Sequence, residues 1–263
     1  MYQIVDSHTH IGLKSFLCRP LPEEKLKKPA FQDSLENSIE SLIVQMAANH
    51  ISQAVAFPYP LDEIDFDLAN EYVIQAYQLY PKKIIPFVLI NSHLEQWIKK
   101  GARGIKQQDI LLSPQQFDVD KIYPIISEKK IPIIRHFRSG NGFSVIEQVT
   151  EITEKFPKLL LIIAHMGRGK PNTGEYVLKN IESLKEYPNV FFETSTVRDT
   201  RVIEQAVNIV GAKRIIFGTD FPFNSYLDTN PVAVELGIIQ KSNLSENEKK
   251  QILGENILSL VKA

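Results

Sequence analysis

The chain has one cysteine, Cys18, among 263 residues, so no internal disulfide framework can form. Cys18 reads as an ordinary loop or core thiol rather than a nucleophile. No apolar run approaches the roughly 18 residues that suggest a membrane span. No basic-then-apolar signal pattern precedes the first apolar run. A cytoplasmic protein with no membrane partner is therefore expected. Net charge is nearly absent too: 30 Lys and Arg against 31 Asp and Glu leave −1, with the signs interspersed. That excludes the basic footprint of a nucleic-acid binder. Low-complexity linkers and internal repeats are missing. So is a Gly-rich turn after the first apolar run, the mark of a dinucleotide-binding fold. What is present is a chain 43% hydrophobic, enough for a sizeable core, with a length that suits one domain over residues 1–263.

Short apolar runs rich in Ile and Val alternate with helical patterns eight times. The strand candidates are residues 3–6, 53–57, 84–90, 102–106, 131–136, 159–165, 190–194 and 214–218, as expected of strands buried on both faces. Asp33 with Glu36, Ser92 with Glu95, Ser144 with Glu147 and Ser245 with Glu248 carry the capping-box spacing of helix starts. Leu35, Ile39, Leu42, Ile43 and Met46 recur at helical spacing, as do Tyr72, Val73, Ala76 and Leu79, and Val202, Ile203, Ala206, Val207 and Val210. Strand-then-helix in series implies a parallel sheet with right-handed crossovers. At this length the economical solution is an α/β fold closed as a (β/α)8 TIM barrel, which needs about 250 residues. An open doubly wound sheet is the alternative. The longest connection, residues 11–32, is a candidate lid or substrate wall.

Val5-Asp6-Ser7-His8-Thr9-His10 ends the first run with two histidines spaced i, i+2. In a strand both side chains point the same way, so two imidazoles can aim at one point. Three later runs end alike, at His136, at His165 and at Asp220 after Gly218-Thr219. A parallel barrel gathers these ends at its C-terminal face. Imidazole and carboxylate are common ligands of zinc and similar divalent ions. Three or four of them with an open position describe a catalytic site, where a bound water's pKa falls to about 7.

The ordered set of motifs resembles the amidohydrolase superfamily, and most closely its amidohydrolase-related branch of metal-dependent TIM-barrel hydrolases and decarboxylases. The likeness covers essentially the whole chain. It includes residues 6–10, Gly101-Ala102-Arg103-Gly104-Ile105-Lys106, the histidines of the fifth and sixth strands, Gly218-Thr219-Asp220-Phe221-Pro222-Phe223 and the closing Ile252-Leu253-Gly254-Glu255-Asn256-Ile257. The resemblance implies metal ligation by His8, His10, His136 and Asp220. It places His165 just outside the metal as the group that orients or deprotonates water, and lets Asp220 shuttle a proton. One ion is expected, zinc first, with manganese or iron as alternatives. A second metal bridged by a modified Lys106 is not favoured, and Lys106 is read as a pocket lysine facing substrate. The resemblance also allows a homodimer.

Arg138, Arg168 and Arg198 follow the fifth, sixth and seventh runs. Arg suits bidentate carboxylate recognition, so a small, carboxylate-bearing substrate is expected. Phe16, Phe137, Phe143, Phe221 and Phe223 are candidates for its walls. His50, His93 and Trp97 are read as structural. The leading function is hydrolysis of a C–N or C–O bond by a metal-activated water. The alternative is decarboxylation of an aromatic or muconate-type acid. A TatD-type phosphoesterase or nuclease is disfavoured, because Lys106 stands where those enzymes carry Glu. A non-catalytic relic is disfavoured by the intact ligand set.

Overall fold

The computed structural model of the protein describes residues 3–32, 35–112 and 118–261. Eight strands run parallel in sequence order: β1 (Val5–Ile11), β2 (Gln53–Pro58), β3 (Ile84–Leu89), β4 (Gly104–Gln108), β5 (Ile133–His136), β6 (Leu161–Ile163), β7 (Val190–Glu193) and β8 (Ile215–Ile216). Helices separate them, as the alternation predicts. The sheet curls until its last strand meets its first. Ser7 N–H donates to the Phe217 carbonyl at 3.1 Å, and His10 N–H to that of Phe221 at 2.7 Å. Asp6 closes the same seam by accepting from Thr219 Oγ1 at 2.6 Å and Thr219 N–H at 3.1 Å. The fold is the expected TIM barrel. No helix among the described residues is long and apolar enough to cross a membrane.

Alternation along each strand sorts the core into two layers. Val5, Val55, Phe57, Ile85, Phe87, Ile134, Ile162 and Ile216 fill the barrel, where Ile257 and Leu260 of the closing helix Asn256–Leu260 join them. Ala54, Ala56, Val88, Ile105, Ile133, Leu161 and Phe192 face outward onto the helices. Gly104 belongs to the inner layer. A Cβ there would lie 2.2–2.3 Å from the Phe87 ring, and that ring is fully buried. Gly104→Ala should therefore destabilise by about 1–3 kcal/mol, read from the denaturation midpoint. Gly104→Ala combined with Phe87→Leu should recover much of the loss.

Local signals held unevenly. Ser144 accepts from Glu147 N–H ahead of the helix Val145–Lys155, and Ser245 with Glu248 forms a reciprocal capping box. Ser92 does not cap; the helix Leu94–Lys100 starts after His93. There the Asn91 carboxamide oxygen accepts from His93 N–H and Trp97 Nε1. Asp33 lies outside the described residues, and the helix Ile39–Ala48 is capped by Ser38. Leu79, last in the stripe of the helix Phe66–Leu79, is exposed. Cys18 is an exposed loop thiol.

Candidate active site

β1 is longer than its apolar run suggests, so His8 and His10 lie inside the strand and not beyond it. Its register against β2 shifts between Asp6 and Thr9. Both imidazoles reach one oxygen: His8 Nε2 and His10 Nε2 each lie 3.2 Å from Asp220 Oδ1. β6 stops at Ile163, and His165 sits in the following 3-10 turn with φ +55°. Asp220 and Thr196 are also left-handed, at φ +61° and +64°. Non-glycine residues seldom adopt this region, and it clusters at functional sites. The turn after β6 swings the His165 side chain inward, which an extended continuation from the inward-facing Ile162 would not do.

Ligand-capable atoms of His8, His165 and Asp220 all lie within 4.8 Å of one another. His136 joins from the side: its Nδ1 is 3.2 Å from His165 Nε2 and 3.0 Å from Gln108 Nε2. The four imidazoles and Asp220 thus meet at one mouth. They line a cleft of about 270 Å3 together with Phe31, Gln108, Arg168, Thr196, Phe223, Asn224 and Tyr226. Lys28, Ala30 and Phe31 come from the long connection after β1, which is a wall of the cleft.

Burial leaves the ring nitrogens with free electron pairs. Desolvation, reinforced by positive neighbours such as Lys106 and Arg168, holds His8, His136 and His165 well below the usual histidine value, and His10 is lowered as well. Burial alone would raise Asp220, but His8, His10 and Lys106 outweigh it and the pKa is lowered. Lys106 lies mid-strand in β4, fully buried, and donates to His8 Nε2 at 3.0 Å. Desolvation brings it down to about 8, against the attraction of Asp220, Glu193 and Asp109.

Behind the histidines stands Glu193, the last residue of β7. Its Oε2 accepts from His8 Nδ1 at 2.8 Å, His165 N–H at 3.1 Å and Ser195 Oγ at 2.9 Å; its Oε1 accepts from Ser195 N–H at 2.6 Å. Ser195 Oγ also lies 2.7 Å from His165 Nδ1. One carboxylate therefore fixes the orientation of two site histidines. Desolvation raises it to about 7. Gly218 makes the approach possible, since a Cβ there would meet Glu193 Oε1 at 2.3 Å and His8 Cβ at 2.8 Å.

The structure separates the three arginines. Arg168 lines the cleft. Arg138 does not; it lines an adjoining depression, donates to the Asp109 carbonyl at 2.7 Å and lies over Phe143. Arg198 lines neither. Its Nη1 pairs with Asp228 at 2.6 Å and its Nε with Glu235 at 2.7 Å, so it ties the β7 connection to the helix Pro231–Gln240. Of the five phenylalanines, Phe223 alone lines the cleft. Phe137 is buried and Phe143 exposed. Glu193, Gln108, Asn224 and Lys28 carry no sequence signal of a site. Glu193 is the tail of an apolar run, and its partners lie far away in the chain.

Glu235 offers a stability test away from the chemistry. Desolvation raises it from 4.5 to about 7, against Arg198 and Thr196 N–H. A carboxyl with a raised folded pKa binds its proton more tightly when folded. Its contribution is fullest below about 4.5 and is lost as pH rises through about 7. Glu235→Gln should flatten the fall of Tm between these values, seen by scanning calorimetry.

The (β/α)8 barrel with polar, polarised side chains gathered at the C-terminal mouth defines an enzyme scaffold. The chain belongs to the amidohydrolase family, whose model matches residues 5–262. No curated protein matches it. Among solved structures it is similar to a 2,6-dihydroxybenzoate decarboxylase complexed with 2,6-dihydroxybenzoate (16% identity, TM-score 0.74, all of both chains covered at 100%). It is similar to a probable 2-pyrone-4,6-dicarboxylic acid hydrolase from Acinetobacter baumannii with citric acid bound (15%, TM-score 0.71, 99% of this chain and 100% of that one). It is also similar to a 5-carboxyvanillate decarboxylase from Novosphingobium aromaticivorans complexed with manganese and 4-hydroxy-3-methoxy-5-nitrobenzoic acid (17%, TM-score 0.72, 100% and 96%). At these identities the likeness is one of fold.

Proposed function

We propose that the protein is a metal-dependent hydrolase that cleaves a C–N or C–O bond in a small carboxylate-bearing substrate. The observation that carries this is the convergence of His8 Nε2 and His10 Nε2 on Asp220 Oδ1, each at 3.2 Å. Two atoms about 2.1 Å from one ion at octahedral or tetrahedral angles stand about 3.0–3.4 Å apart, so the spacings of His8 and His10 to Asp220 fit a shared divalent ion. Neutral imidazoles and an ionised carboxylate are the protonation states that such a site requires.

His8, His10, His136 and Asp220 are assigned as ligands, and zinc is the first candidate on the nitrogen-rich set. When bound, the ion supplies Lewis acidity and brings a water's pKa down to about 7. The chain supplies the rest. His165, neutral and backed by Ser195 and Glu193, takes and returns the proton, with Asp220 as the second acceptor. Lys106 places positive charge beside the reacting centre. Arg168, half-buried at the cleft wall, holds the substrate carboxylate, and Phe31 and Phe223 exclude water from its apolar part.

Decarboxylation is the second reading, favoured by the decarboxylases among the similar structures. Product analysis separates the two: a ring-opened or cleaved acid against released CO2.

The deciding experiment is elemental analysis of the purified protein together with His8→Ala and His165→Ala. About one divalent ion per chain is expected in the wild type and in His165→Ala, with His8→Ala depleted. A metal-free wild type that gains neither activity nor thermal stability from added zinc or manganese overturns the reading. Equal depletion by His165→Ala would move His165 into the ligand set, where its proximity to His8 and Asp220 also fits.

A further inference from the structure

Beside the reaction cleft lies a second depression of about 640 Å3, and the two share Lys28, Ile110, His136 and Arg168 as a common wall. Its own walls add Arg138 and Lys170, and no carboxylate among the described residues lines it. Several partly buried cations elsewhere in the molecule are matched by carboxylates: Lys25 with Glu63, Arg135 with Asp109, and Arg198 with Asp228 and Glu235. Here they are not. The side chains of Lys28, Arg168 and Lys170 form no hydrogen bond or ion pair among the described residues, and Arg138 donates only to a carbonyl.

The placement of these charges is built into the loops. Gly140, at φ +74°, leaves room for the Lys170 stem, whose Cβ, Cγ and Cδ lie 3.3–3.7 Å from where a glycine-replacing Cβ would stand. The Asp109 carbonyl and the Phe143 ring hold the Arg138 guanidinium. Unpaired cations in a concave wall focus an anion-attracting potential, and Arg suits the oxygens of a carboxylate or phosphate.

We propose that this depression is a second anion subsite continuous with the reaction cleft, and that the substrate is an elongated dianion. One carboxylate sits at Arg168, and a second anionic group, carboxylate or phosphate, reaches Arg138 and Lys170. This rests on the reading that the histidine cleft is the reaction centre. The two ends then bind as linked contacts, so a spacer of the right length gains affinity over either end alone.

The test is calorimetric titration of the full-length, metal-loaded protein with α,ω-dicarboxylates from succinate to suberate. Each is set against the monocarboxylate of equal length, with inorganic phosphate and a carboxyalkyl phosphonate as the second arm. At one chain length the dicarboxylate should bind at least tenfold more tightly than its monocarboxylate. Lys170→Glu should shrink that ratio at least fivefold, and Lys185→Ala, at a surface lysine paired with Glu182, should keep it. Preference for the phosphonate over the dicarboxylate identifies phosphate as the distal group. A ratio near one at every length, or a ratio indifferent to Lys170→Glu, overturns the second subsite. Metal content and monocarboxylate binding report on the reaction cleft separately, so their loss marks failure of the functional reading instead.

Discussion

Asp220→Asn is expected to lower kcat by about 10²–10⁴-fold and to leave the purified protein with well under one divalent ion per chain. The change keeps the shape of the side chain and removes its charge. In the wild type one carboxylate oxygen stands 3.2 Å from both His8 Nε2 and His10 Nε2, and Lys106 also draws on its charge. A neutral carboxamide gives a weaker metal ligand and no proton acceptor. Circular dichroism should show an intact barrel, because the seam bonds run through Asp6, Thr219 and backbone atoms. Full metal content together with wild-type turnover in Asp220→Asn would remove Asp220 from both roles.

Glu193→Gln should weaken metal binding by about 10–100-fold, the range typical of groups that orient a ligand. Each contact of the Glu193 carboxylate comes from a donor. A carboxamide NH2 turned toward His8 meets a donor with a donor. The imidazole can answer by moving its proton from Nδ1 to Nε2, and that occupies the nitrogen that faces Asp220. Turned the other way, the amide opposes Ser195 N–H. Either choice leaves a buried donor unpaired, with a stability loss of about 1–3 kcal/mol. Competition with a chromogenic chelator measures the affinity, and thermal melting measures the stability. An unchanged zinc affinity would mean that Glu193 is only a structural acceptor.

The eight strands were legible because a parallel strand buried on both faces writes itself as a near-continuous run of Ile, Val and Leu. Eight alternating units at this length favoured a closed barrel over an open sheet, and the bonds from Ser7 to Phe217 and His10 to Phe221 close it. The runs were less informative about where strands stop. The sequence run through His165 looks extended, yet β6 ends at Ile163 and the next turn is left-handed. Histidine is enriched among the uncommon non-glycine residues at positive φ, but that does not mark which histidine of a strand-like run will turn. Loop arginines were equally ambiguous. Arg168 faces the cleft, whereas Arg198 is neutralised by Asp228 and Glu235, which lie 30 and 37 residues further on. Only the fold shows which charge already has a partner. Glu193 was hidden for the same reason, since its partners His8 and His165 lie 185 and 28 residues away in the chain.

The closing seam also bears on how the molecule is made. His10 and Asp220 are 210 residues apart, and Asp6 and Thr219 are 213 apart. A nascent chain emerging from the ribosome therefore carries β1 with one edge unpaired until β8 arrives. Contacts of such long sequence separation form late and slowly, and an open strand edge invites association with other chains. The site cannot be completed in any chain truncated before β8, because His8 and His10 come from one end of the polypeptide and Asp220 from near the other. Activity in this protein thus certifies a finished barrel, and the same design leaves the unfinished one most exposed to aggregation at the strand that bears His8 and His10.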